Sequence, residues 1–261
     1  MRTPLLALTF VTTTLLATLP AQAIEQSTAT TQFDAVGEIS GMSGVLIADH
    51  WVLTASHVAG GITVGSTAFV SDGTQAVIDQ VVIHPDASFP GNDLALVHLA
   101  TSLTGVAAPT LYDLVLDNTT AQGTVTLASA QNQAANGVAT ANLTGALPEY
   151  TDTLTGASFR TNWLMTNGAA VVQSGDSGGG LFLGTVNDSA GATLMGIASA
   201  RVTDNGSNYS AWVQVASYKG WINSVVASTG EVVQWTSPVP DAPGLALLLC
   251  GALPILLRRR R

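Results

Sequence analysis

The stretch Gln173-Ser174-Gly175-Asp176-Ser177-Gly178-Gly179-Gly180 constrains this chain more than any other. Glycine loses more conformational freedom on folding than any other residue. A fold that keeps so many in one octapeptide needs a backbone path that a Cβ would forbid. A tight loop of this kind presents the Ser177 hydroxyl and turns neighbouring N–H groups toward one point. An ordinary glycine-rich turn is the alternative that the octapeptide alone leaves open.

Two other segments bear on that choice. Trp51-Val52-Leu53-Thr54-Ala55-Ser56-His57-Val58 is an apolar run leading into a histidine, and Asn92-Asp93-Leu94-Ala95-Leu96-Val97-His98-Leu99 places an aspartate ahead of an apolar run. His57 and Asp93 are 36 residues apart, and Asp93 and Ser177 are 84 apart. Gly175-Asp176-Ser177-Gly178-Gly179 also fits the G-x-S-x-G pattern of a nucleophile elbow. That fold needs its histidine after the serine, and the last histidine here is His98. A subtilisin-type order needs an aspartate before the histidine. Asp34 and Asp49 precede His57, but neither sits in a recognisable motif.

In order and spacing, the three segments resemble the signature motifs of trypsin-like serine peptidases, over roughly residues 33–226. The resemblance implies an all-β fold of two six-stranded antiparallel β-barrels with a short C-terminal helix. It also implies a serine endopeptidase that hydrolyses peptide bonds through an acyl-enzyme. Ser177 would be the nucleophile, activated by a neighbouring base because a serine hydroxyl alone is weak. His57 would be that base, oriented by Asp93. The N–H groups of Gly175 and Ser177 would form the oxyanion hole. Asp176 would pair with a newly formed N-terminal ammonium. Val171 stands where trypsins carry the aspartate that selects Arg or Lys, so cleavage after basic residues is not expected. Ser199 matches a serine that supports the catalytic aspartate. Arg201 and Ser210 stand at substrate-pocket positions usually held by glycine. Arg201 either narrows the pocket, attracts an acidic side chain or turns outward. Gly180 replaces the family's usual proline, and residues 126–131 lack its glycine pair. A non-catalytic surface binding protein on the same scaffold, or an esterase, are the alternative readings. His50, His84 and His98 read as structural.

The local pattern agrees with a β fold. Short apolar runs at 44–47, 51–54, 76–83 and 94–99 alternate with Gly, Asn, Asp and Ser clusters, the spacing of a sandwich or barrel. Residues 101–118, with Pro109, read as a connection, and a second barrel is expected from Gly123 to about Val215. Helical period occurs over 218–227, where Trp221, Ile222, Val225 and Val226 share a face.

The chain ends carry separate signals. Residues 1–23 read as a signal peptide, with Arg2, an apolar stretch over 5–19 and Ala21-Gln22-Ala23 as cleavage site. Cleavage there exposes Ile24. Residues 24–113 and 114–237 are the expected barrels. Residues 238–261 contain Val239-Pro240-Asp241-Ala242-Pro243, an apolar run over 244–257, and four arginines. They resemble a PEP-CTERM sorting signal of Gram-negative bacteria, with Ala242 where the commonest form has proline. That resemblance implies an exosortase-type processing enzyme as partner, contact with the membrane through the tail, and a destination outside the cell or on its surface. A plain membrane anchor is the alternative, although the run falls short of the ~20 apolar residues that span a bilayer. The only cysteine, Cys250, lies in this tail. No Lys or Arg lies between Ala23 and His57, so activation by a tryptic cut in that segment is excluded.

Charge narrows the partners. Residues 24–237 hold three basic residues, Arg160, Arg201 and Lys219, against sixteen acidic ones, a formal charge of −13. No basic patch is available to neutralise phosphates, so nucleic acid is not an expected partner. No zinc-ligand cluster or phosphate loop is visible, and no cofactor is expected. Asp72 and Asp79 lie near where some relatives bind calcium, though paired surface aspartates are usually only solvated.

Overall fold

The computed structural model describes residues 24–132, 135–152 and 155–237. The expected signal peptide and sorting tail, with Cys250, lie outside the described residues. Strand β1 (Thr28–Thr30) leads into a closed six-stranded barrel. Its strands are β2 (Val36–Ile39), β3 (Met42–Ala48), β4 (Trp51–Thr54), β5 (Ala68–Ser71), β6 (Thr74–Ile83) and β7 (Ala95–Leu99), paired in the order β2-β3-β4-β7-β6-β5. The apolar runs read from the sequence fall on β3, β4, β6 and β7. One helical turn, α1 (Ser56–Ala59), leaves the end of β4.

The remaining strands form the second unit. They are β8 (Thr110–Tyr112), β9 (Gly123–Asn132), β10 (Ala135–Thr151), β11 (Ser158–Asn167), β12 (Gly180–Leu183), β13 (Thr193–Asp204), β14 (Ser207–Gln214) and β15 (Trp235–Thr236). The sheet order is β12-β9-β10-β11-β14-β13-β8-β15, and β12 also pairs with β13, so the pairings of six strands return on themselves. With β1 on the edge of β10 the sheet has nine strands, where the sequence reading expected six. The difference lies in short additions. Strand β8 falls inside the stretch read as a plain connection and pairs in parallel with β13 and β15. Three residues beside a proline show no period to detect.

Helix α2 (Lys219–Ala227) follows a 3-10 turn over Val215–Tyr218 and buries Ile222 and Val226, one turn apart on the same side. A single apolar cluster joins Leu46, Trp51 and Leu96 of the barrel to Phe182, Leu194, Val213 and Ile222 of the second unit. Backbone bonds also cross between the units, from Ser43 N to Ser177 O (2.8 Å) and from Asn92 N to Arg160 O (2.8 Å). Loops from both units therefore meet at fixed positions. Among the described residues no helix is long and apolar enough to cross a membrane.

Candidate active site

Asp93 is a heavily bonded side chain at that meeting place. It follows Asn92, whose backbone has φ +44 and whose Oδ1 accepts from Tyr218 Oη at 2.9 Å. The Asp93 carboxylate is fully buried and accepts four hydrogen bonds. Ser56 Oγ (2.6 Å) and His57 N (3.1 Å) donate to Oδ1, while His57 Nδ1 (2.8 Å) and Ser199 Oγ (2.7 Å) meet Oδ2. Burial pushes this carboxyl up. The bonds from His57, Ser56 and Ser199, with the charge of His57, outweigh it and hold the group below the usual carboxylate range. An ionised Asp93 keeps a proton on His57 Nδ1 and leaves Nε2 as the acceptor. Phe89 packs against the imidazole in a T-shaped arrangement, with ring centroids 5.0 Å apart.

Ser177 shares a cavity of about 190 Å³ with Ser199, Ser174, Val172 and Arg201. Its Oγ makes no hydrogen bond to His57 among the described residues, and such contacts are often long in unliganded enzymes. The loop around it has the backbone that the glycines suggested. Gly175 and Gly178 lie at φ +102 and +85. A Cβ on Gly178 would come within 1.8 Å of Ser43 O and 2.4 Å of Thr54 Oγ1. Asp176 N bonds to Gln173 O and Gly178 N to Ala198 O. The N–H groups of Gly175 and Ser177 have no acceptor among the described residues.

Asp176 points away from this cavity into the core, 1 % exposed. Both its oxygens face Ile24 N, at 3.0 and 2.9 Å. Ser129 Oγ and Gln173 N, both at 2.5 Å, also donate to it. Burial pushes its carboxyl up, and these donors only partly oppose the rise. No side-chain cation bonds to it among the described residues.

The positions expected to shape the substrate pocket divide. Ser199 and Arg201 line the cavity. Val171 and Ser210 are buried and do not, and Ser210 Oγ accepts from Val172 N at 3.0 Å. Arg201 Nη1 donates to Gln173 Oε1 at 2.9 Å and lies 3.9 Å from Glu25 Oε2. Gln173 Nε2 in turn donates to that Glu25 oxygen (3.1 Å) and to Val171 O (3.2 Å). The three histidines read as structural have local partners. His50 meets Glu231 (3.0 Å), His98 meets Asp79 (2.6 Å), and His84 packs edge-on against Tyr218 and Trp221. Burial of His84 lowers its pKa, partly opposed by Asp86. No group of three or more His, Cys, Asp or Glu among the described residues could hold a metal ion.

Sequence reasoning missed Ser56, Ser129, Phe89, Gln173 and Glu25 as members of the site. Ser56 adjoins His57 and carried a local signal. Gln173 lies in the glycine-rich octapeptide and donates to Asp176 three residues on, whereas Ser129, Phe89 and Glu25 belong to the site only through long-range contacts. A protein-family model described as Trypsin matches residues 23–222. No curated protein matches the chain.

Proposed function

The chain belongs to the trypsin family, and on that basis we propose that it is an exported serine endopeptidase acting through Ser177, His57 and Asp93. The observation that carries this reading is the fully buried, four-fold bonded Asp93 carboxylate that holds His57 Nδ1 at 2.8 Å beside the Ser177 cavity. His57 Nε2 takes the proton from Ser177 Oγ as that oxygen attacks a peptide carbonyl. The carbonyl oxygen becomes an oxyanion, and the N–H groups of Gly175 and Ser177 stabilise it. His57 then gives its proton to the leaving amine, and the acyl-enzyme remains. A water, deprotonated by His57, releases the second product and restores Ser177.

The same reading assigns Ile24 as the active N-terminus. A peptide N–H has one proton, yet Ile24 N faces two carboxylate oxygens. An α-ammonium at this position offers three protons and the charge that the buried Asp176 lacks. Ile24 also has φ +42, a strained value for a β-branched residue. That torsion ceases to exist once the preceding carbonyl is removed. Cleavage after Ala23 therefore supplies the cation and relieves the strain in one step, so removal of the signal peptide would itself activate the enzyme. The tail is read as the substrate of an exosortase-type enzyme, on its Val-Pro-Asp motif, apolar run and terminal arginines.

Labelling with a fluorophosphonate tests the proposal. The protein beginning at Ile24 is expected to label, and Ser177→Ala to remain unlabelled. A folded sample that fails to label would sink the catalytic reading and leave a binding protein on a peptidase scaffold.

A further inference from the structure

A second groove takes no part in the site described above. It is a cavity of about 520 Å³ lined by Tyr218, Trp221, His84 and Arg160, and by none of His57, Asp93 or Ser177. His84 packs in T-shaped arrangements against both Tyr218 and Trp221, with ring centroids 5.1 Å apart in each pair, so one wall is aromatic. Arg160 supplies charge. It is exposed, and its guanidinium makes no hydrogen bond or ion pair among the described residues. The other two basic residues of the fold are engaged, Arg201 with Gln173 and Lys219 with Asp113. The carboxylate in the lining, Asp86, lies at the His84 end, where its N–H donates to His84 Nδ1 at 3.3 Å. An unpaired arginine beside aromatic rings, in a fold of formal charge −13, suits an acidic ligand.

The described chain ends at the rim of this groove. Strand β15 pairs in parallel with β8, Trp235 opposite Leu111 and Thr236 opposite Tyr112. Asp113 N bonds to Thr236 O at 2.9 Å, and Ser237 Oγ donates to Asp113 Oδ2 at 3.4 Å. Beyond Asp113, Leu114 and Val115 stand 44 % and 65 % exposed, and Val115 lines the groove. The residues that follow Ser237 are Pro238-Val239-Pro240-Asp241-Ala242-Pro243.

We propose that the groove is the docking site of this segment, residues 238–243, with Asp241 paired to Arg160. Continuing the parallel register by two places sets Pro238 beside Leu114 and Val239 beside Val115. Asp241 follows roughly 6 Å further on, at the 3.1 Å rise of an extended proline-rich segment. Three prolines in six residues pre-set that extended form, which aromatic-lined grooves bind at little entropic cost. An exposed ion pair contributes little alone, so ring contacts with the prolines hold the segment and the Arg160–Asp241 pair fixes its register. The short tether makes the contact intramolecular, and contacts too weak to hold a free peptide then suffice. Docking covers the Val-Pro-Asp motif, so an enzyme that processes the tail must first lift it. The inference goes beyond the peptidase reading and stands without it.

The test uses protein beginning at Ile24 and retaining its tail, in detergent, with Ser177→Ala to prevent self-cleavage. Cys250→Ser and Ala242→Cys place a single bimane label beside Asp241. Tryptophan quenches bimane on contact, so emission should be about twofold or more lower with Trp221 present than in Trp221→Phe. Arg160→Glu and Asp241→Arg should each relieve the quenching, and the two together should bring it back. Equal emission with and without Trp221 would overturn the inference. So would quenching that ignores both charge reversals. Quenching that vanishes on dilution would assign the groove to the tail of a second copy and overturn docking within the chain.

Discussion

At the scale of single residues, the geometry separates positions that tolerate change from those that do not. Gly178 has no freedom, because its positive φ disfavours a side chain and Ser43 O occupies the place where a Cβ would sit. Gly178→Ala should cost roughly 3 kcal/mol or more, the sum of backbone strain and overpacking. A denaturant midpoint close to wild type would contradict this account of the loop. Trp163 is the converse case. It is 2 % exposed, and its Nε1 is the only buried side-chain polar atom without a partner among the described residues. The other two fully buried tryptophans, Trp51 and Trp212, donate to Thr229 and Thr166. Trp163→Phe removes an orphan donor worth about 1–3 kcal/mol while losing some packing. The two effects oppose, so its unfolding free energy should stay within about 1 kcal/mol of wild type, whereas Trp163→Ala should lose about 3–5 kcal/mol.

At the scale of elements, the barrel strands were legible and the small additions were not. Trp51–Thr54 reads as a strand in the sequence and is one, because every residue in it is buried and apolar or, for Thr54, bonded to Ser43 O. Strands β8 and β15 each hold three residues or fewer and exist through long-range pairing, β8 between β13 and β15 and β15 on β8. Strand β15 is also held by side chains: Trp235 Nε1 donates to Asn223 Oδ1 at 2.8 Å, and Lys219 Nζ sits 5.1 Å from the Trp235 ring while bonding Asp113. Trp235→Ala should therefore lower stability by about 1–2 kcal/mol, through lost packing and the cation–π contact. An unchanged unfolding midpoint would show that β15 does not contribute to the fold.

At the scale of the whole molecule, the Ile24–Asp176 contact joins positions 152 residues apart. It makes stability depend on what precedes Ile24. With a residue still attached there, burial raises the Asp176 pKa in the folded state. A raised carboxyl favours the fold at acid pH, and that contribution is lost as pH climbs from the usual carboxylate range through the raised value. An α-ammonium at Ile24 reverses the sign, because it stabilises the ionised form at neutral pH. Protein beginning at Ile24 and protein extended by one glycine should thus melt alike only well below pH 4, where Asp176 is protonated in both. Near pH 7 the extended form should be weaker by about 3 kcal/mol, the scale of an uncompensated buried charge. The gap should close again as the α-amine loses its proton above about pH 8. A gap that ignored pH would exclude the ion pair.

The sequence alone determined which chemical groups the chain carries and in what order. His57, Asp93 and Ser177, the glycines around the serine and the apolar runs behind them are local patterns, and local patterns survive in one dimension. It also determined the β class, since strand period and turn residues are nearest-neighbour properties. Only the tertiary structure decided which groups meet. The donors to Asp93 come from as far as 106 residues away, and Ser129 reaches Asp176 across 47. The orientation of Arg201, left open by its position in the chain, was settled by Gln173 and Glu25. A hydrogen bond is made or lost within a fraction of an ångström, and such distances are set by how two units pack rather than by any residue's neighbours in sequence.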